Sequence, residues 1–233
     1  DWPLSLDDTV IRDASGAEVP FSSLQPRQEY WRHQFDKLAF SVHVPPFGFA
    51  NYYILQAEQP RTSYHDPEPR ELSRADAGYV LENGALRAVL APATCKLTSL
   101  YDKKNGRELL SGGAGFRLVD ETEDWMSSWV VGDYARVCDL NEKEAVTVKS
   151  AVLTGEVQSV TYELKFRRSL LRLRVSLAGQ SPVLRFSADC DFQETGADGL
   201  VPQLQLHIPY SYWPQAIRCD VPGGVLDRPE FAH

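Results

Sequence analysis

The residues best suited to chemistry cluster in Asp120-Glu121-Thr122-Glu123-Asp124-Trp125-Met126-Ser127-Ser128-Trp129. Carboxylates accept hydrogen bonds from hydroxyls, and indole faces stack on C–H surfaces, so this pairing suits a sugar. Trp125 and Trp129 are the tentative carbohydrate contacts. The competing reading is a solvated acidic loop pinned by its tryptophans. Paired catalytic carboxyls need a separation of roughly 5–10 Å on a shaped floor, and acids crowded into one loop do not show one. Asp189 and Asp191 stand two apart with Arg185 on the same side. That spacing can flank a groove, but cross-strand ion pairs on a polar face explain it equally.

His207 alternates with Leu204, Leu206 and Ile208, and no acid partner lies near it in sequence. Acid/base work on a sugar would need a paired His and Glu. Arg228 and His233 follow the apolar run from Val221 to Leu226. A guanidinium there can bind sugar hydroxyls or simply cap a strand end. Tyr210, Tyr212 and Trp213 suit either a sugar platform or sandwich packing. No two of Cys95, Cys138, Cys190 and Cys219 form a C-x-x-C pair. A zinc knuckle and a redox motif are therefore not expected. Four free thiols in a reducing compartment, the cytoplasm, are.

The elements that must position these groups are strands. Val160, Tyr162, Leu164 and Phe166 alternate with Thr161, Glu163, Lys165 and Arg167. Leu171 to Leu177 and Leu184 to Phe192 repeat the pattern, with Gly179 and Pro182 between them. Period-two alternation buries one face and wets the other, and three such runs predict an antiparallel meander. Asn83-Gly84 and Asn105-Gly106 each separate two further strands, and Asn-Gly favours hairpins because both residues tolerate positive φ. Val146 to Val152 and Leu204 to Ile208 add two more. At most, Gln28 to Phe35 makes one short helix.

Residues 58–76 hold Pro60, Pro67, Pro69 and many charges, which predicts a linker between a small β unit at 1–57 and a large one at 77–233. The net charge of -8 argues against nucleic acid. No stretch approaches the roughly 20 apolar residues of a membrane helix. The chain opens on Asp1 with no leader, as expected of a processed or trimmed product.

Several segments, in order, resemble glycoside hydrolase family 38 α-mannosidases. They are Ile11 to Pro20; Phe40 to Tyr52, around Val44-Pro45-Pro46-Phe47-Gly48; Leu81 to Arg87 with Leu97 to Glu108; Trp129-Val130-Val131-Gly132-Asp133-Tyr134; the run ending Asp191-Phe192-Gln193-Glu194; and Gly224 to Pro229. The resemblance implies an all-β chain: a large antiparallel sandwich of the galactose-mutarotase type, incomplete here, preceded by a small β domain. It implies a parent enzyme that cleaves α-mannosides with retention, using two carboxyls and a zinc ion held in an α/β barrel outside this chain. The barrel's His-x-Asp motif does not occur here, so no catalytic or metal residue is transferred.

The expectation is a structural region, inactive alone, that supports the missing catalytic and helical domains. It would lend Trp125, Trp129, Arg228 and His233 to the rim that meets a mannose-containing glycan. A non-catalytic carbohydrate-binding module and a mutarotase-like sugar epimerase are the alternatives. The first predicts glycan affinity lost on Trp125→Ala or Trp129→Ala. The second predicts His207 facing a carboxylate.

Overall fold

A computed structural model describes residues 5–57, 68–123, 131–140, 145–212 and 217–228. Among them there is no α-helix, only a three-residue 3-10 turn at Leu6–Asp8. Among the described residues no helix is long and apolar enough to cross a membrane. The chain divides into two compact units, Asp1–Arg70 and Glu71–His233.

In the first unit, β1 (Thr9–Asp13) pairs with β4 (Tyr52–Gln56), while β2 (Phe21–Tyr30) and β3 (His33–Phe40) form a separate hairpin. The helix expected over Gln28 to Phe35 is instead the tip of that hairpin. Its residues are good helix formers, but cross-strand pairing overrides so weak a preference. Trp31 and Arg32 make the two-residue loop, with φ of 51° and 65°. Such a turn normally takes Asn or Gly, so the sequence gives no warning of it. Trp31 is 81% exposed at the tip. In the Val-Pro-Pro-Phe-Gly motif the Gly48 amide donates to the Pro45 carbonyl at 3.1 Å, and Phe47 takes φ 56°. Proline at the second position and positive φ at the third define a type II turn. The Tyr52 hydroxyl accepts from the His43 amide at 2.7 Å and holds the approach to that turn.

The second unit carries β5 (Arg70–Glu71), where the unit boundary falls, then β6 (Arg74–Ala75), β7 (Gly78–Glu82), β8 (Leu86–Leu90), β9 (Leu97–Asp102) and β10 (Arg107–Glu108). β11 (Gly115–Thr122), β12 (Tyr134–Asp139), β13 (Ala145–Thr154), β14 (Val157–Phe166) and β15 (Ser169–Ala178) follow. The last are β16 (Leu184–Asp191), β17 (Leu200–His207), β18 (Ile217–Val221) and β19 (Gly224–Arg228). The stretch read as a linker is described from Glu68 onward and there contains β5 and β6.

The sheets run β10-β9-β8-β7-β6, β12-β11-β17 and β16-β15-β14-β13-β5, with β18-β19 as a hairpin. The named strand pairs are antiparallel, and the meander forms as its alternation predicts. Val160 sits opposite Val175, Tyr162 opposite Leu173 and Leu164 opposite Leu171. These inward side chains are almost wholly buried. They pack with Leu81, Ala88 and Leu90 of the first sheet and Phe116 and Leu118 of the second. This is a sandwich: each sheet presents alternate residues to one core. Each fully buried Leu or Val contributes about 1.5–3 kcal/mol, so the β14–β15 pair anchors the domain.

Polar clamps hold the layers' edges. Asn83-Gly84 does separate two strands, but neither residue has positive φ. Asn83 Oδ1 accepts from the Ala85 and Leu86 amides, both at 2.9 Å, closing a three-residue loop. Its Nδ2 donates to the carbonyls of Ala178 and Ser181 in the turn after β15. Asn105-Gly106 behaves as expected, with Gly106 at φ 63° and Asp102 accepting from the Lys104 and Asn105 amides. None of the four cysteines forms a disulfide.

Candidate functional site

β11 carries the start of the acidic stretch inward rather than into a loop. Alternation sends Asp120 to the side of Phe116 and Leu118, and Glu121 to the side of Val119. The Asp120 side chain is only 7% exposed. Arg167 grips it with both terminal nitrogens, at 3.2 and 2.9 Å, and Arg136 on β12 approaches to 3.4 Å. The Arg167 hydrogen bonds outweigh desolvation, and the charges of Arg167 and Arg136 add to them. The carboxyl is held below its ordinary range. Asp120 is therefore a charged tie between two sheets, with no proton to lend at neutral pH. Arg167 reaches it from the two-residue turn between β14 and β15, where its φ is 44°.

Glu121 differs. It is 1% exposed, and its Oε2 has no hydrogen-bond partner among the described residues. Buried polar atoms are rarely left so. Beyond it the loop's neck is pinned from both sides. The Thr122 amide donates to the Asp133 carbonyl at 2.8 Å, and the Asp133 amide donates to the Thr122 hydroxyl at 3.0 Å. The Glu123 amide donates to the Gly199 carbonyl at 2.7 Å. Gly132 accounts for its motif, because a Cβ there would stand 2.0 Å from the Thr122 carbonyl oxygen. Only glycine lets the returning strand pass so close. Trp125 and Trp129 themselves lie outside the described residues.

Beside this neck the β12-β11-β17 sheet presents a polar face. Gln205 accepts from Arg117 Nε and Nη2 at 3.1 and 3.0 Å, and donates to the Tyr134 hydroxyl at 2.9 Å. Gln203 accepts from Gln205 at 3.2 Å. Amides, a guanidinium and a phenol on a rigid sheet can read hydroxyl directions. Sequence reasoning missed this row. The signal was Gln203-x-Gln205-x-His207 alternating with Pro202, Leu204 and Leu206.

The other candidates fare unevenly. Asp189 pairs across the strands with Arg172 at 3.6 Å, both exposed, and the two line a shallow depression of about 230 Å³ on that ion-paired face. His207 sits at the exposed end of β17 opposite Gly115, with no ion pair or hydrogen bond among the described residues. Tyr210 and Tyr212 lie 5.5 Å apart, but Arg107 already occupies one face of Tyr212 at 5.2 Å. Arg228 ends β19, its backbone opposite Ile217. Trp213 and His233 are outside the described residues. Among the described residues no group of three or more His, Cys, Asp or Glu could hold a metal ion. These residues do not fit zinc.

Two comparisons bear on identity. The Glycosyl hydrolases family 38 C-terminal domain matches residues 81–232. No curated protein sequence matches the chain.

Proposed function

The chain belongs to glycosyl hydrolases family 38, whose C-terminal domain it carries over residues 81–232, and we propose that it supports an enzyme that cleaves α-mannosides with retention. That family match, on an all-β sandwich, is the observation that carries the reading. In this reading the two carboxyls that flank the glycosidic bond, and the zinc ion, belong to a barrel outside these 233 residues. The acids described here favour that division. Asp120 is neutralised by two guanidiniums and Asp189 is paired with Arg172.

The sandwich's own contribution is a rim. Arg117, Gln205 and Tyr134 stand beside the neck of the loop that bears Trp125 and Trp129. Arg228 and His233 are further proposed sugar contacts. Its partners are a mannose-containing glycan and the catalytic and helical domains. Four free thiols support a reducing compartment such as the cytoplasm.

The test is hydrolysis of an aryl α-mannoside. The 233-residue chain is expected to leave it intact with or without zinc. The protein encoded by the complete reading frame is expected to release mannose with its anomeric configuration retained. Zinc-dependent turnover by the 233 residues alone would overturn the division of labour. Cleavage of β- but not α-mannosides by the longer protein would overturn the substrate.

A further inference from the structure

The sandwich has an open edge where the chain changes sheets. The Leu72 amide still donates to the Ala151 carbonyl of β13, at 2.9 Å. Two residues later Arg74 already pairs with Tyr79 of β7, in the other sheet. The strap between them bridges the two layers. Opposite it β13 carries a bulge, since the register slips between Val148 and Ser150 and leaves Lys149 without a partner on β14. Bulges recur beside binding sites because they re-aim a side chain and open a sheet edge.

Between strap and bulge lies a cleft of about 500 Å³, within the range of small-molecule sites. Its base is Leu72, Val148 and Ala151, each packed against the hydrophobic core, so it is firmly backed. Tyr79 lines it from the core side too, and its walls are polar: Glu71, Ser73, Arg74, Lys149 and Ser150. Among the described residues Arg74 has no ion pair, although it is exposed in an acidic chain. Lys149 is held only loosely, 3.8 Å from Glu163, in a half-exposed pair that costs little to redirect.

We propose that this cleft binds an acidic sugar bearing a single carboxylate. The Arg74 fork matches a carboxylate with two parallel hydrogen bonds, and Lys149 adds a second positive charge. Glu71 and the hydroxyls of Ser73 and Ser150 supply the acceptors and donors that a ring of hydroxyls needs. Two cations against Glu71 leave one net positive charge in the lining, which complements a monoanion better than a dianion. The site uses no residue of the mannoside reading and stands or falls without it.

The experiment is an amide NMR titration of the isotope-labelled 233-residue chain with glucuronate, glucose and acetate. Glucuronate is expected to shift the amides of Leu72, Tyr79, Ser150 and Ala151 saturably. Glucose, which loses the charge-assisted contacts, and acetate, which loses the hydroxyl contacts, are each expected to bind at least roughly tenfold more weakly. Arg74→Ala and Lys149→Ala touch no described partner in the core, so both should fold, and each is expected to weaken glucuronate by about tenfold. The absence of saturable shifts at these amides overturns the proposal. So does an unchanged Kd in both variants, or acetate binding as tightly as glucuronate.

Discussion

Arg167→Ala tests the tie between the β12-β11-β17 sheet and the meander. Asp120 would lose a two-pronged partner at 2.9 and 3.2 Å and keep only Arg136 at 3.4 Å. Breaking a fully buried pair costs about 3–5 kcal/mol, because the remaining charge is stranded. Asp120 is nearly that well shielded, at 7% exposed, but the Arg167 side chain is 36% exposed and partly screened by water. The discounted loss is about 2 kcal/mol. For a domain of this size that lowers Tm by roughly 4–8 °C.

Arg167 also occupies left-handed backbone, which costs a residue with a Cβ about 1 kcal/mol. Arg167→Gly relieves that strain, so it should be about 1 kcal/mol less damaging than Arg167→Ala. The pH dependence follows from Asp120. Its folded carboxyl is held below the ordinary value. The pair's contribution is therefore complete above the ordinary carboxylate pKa and disappears as pH falls through the lowered one. Urea unfolding followed by tryptophan fluorescence measures each quantity. The gap between wild type and Arg167→Ala should be full near neutrality and should close in acid. A loss under about 0.5 kcal/mol at neutral pH, the range of a surface pair, would refute the reasoning. So would a gap that persists unchanged once Asp120 is protonated.

Two further outcomes concern the core. Tyr162 is wholly buried with a hydroxyl that has no partner among the described residues, and burial pushes its pKa well up. Tyr162→Phe should be neutral or stabilising by up to about 1 kcal/mol in the same unfolding assay, and a clear loss would mean that the hydroxyl is bonded. Thiol labelling under native conditions should modify exposed Cys138 first, whereas Cys95, buried and with its pKa pushed up to about 11, should react only on unfolding. Early labelling of Cys95, read by peptide mass mapping, would contradict the packing at the start of β9.

The strand pattern was legible because it is local. From Val160 to Phe166 and again from Leu171 to Leu177 polarity flips at every residue, and a pleated chain has one way to satisfy that against a core. The family segments from Leu81 to Glu108 were legible for the same reason, being two short hairpins with their turn residues. What only the tertiary structure decided depends on contacts distant in sequence. The β2–β3 hairpin turns through Trp31 and Arg32, which carry no turn signal, so pairing between Phe21–Tyr30 and His33–Phe40 had to impose it. Asp120 looked like part of a solvated acidic loop until Arg167, 47 residues on, neutralised it inside the sandwich. The Arg117–Gln205–Tyr134 row and the cleft under the 71–74 strap likewise draw on strands far apart in the chain. A sequence fixes which face each side chain takes, but which faces meet is settled by how whole sheets stack.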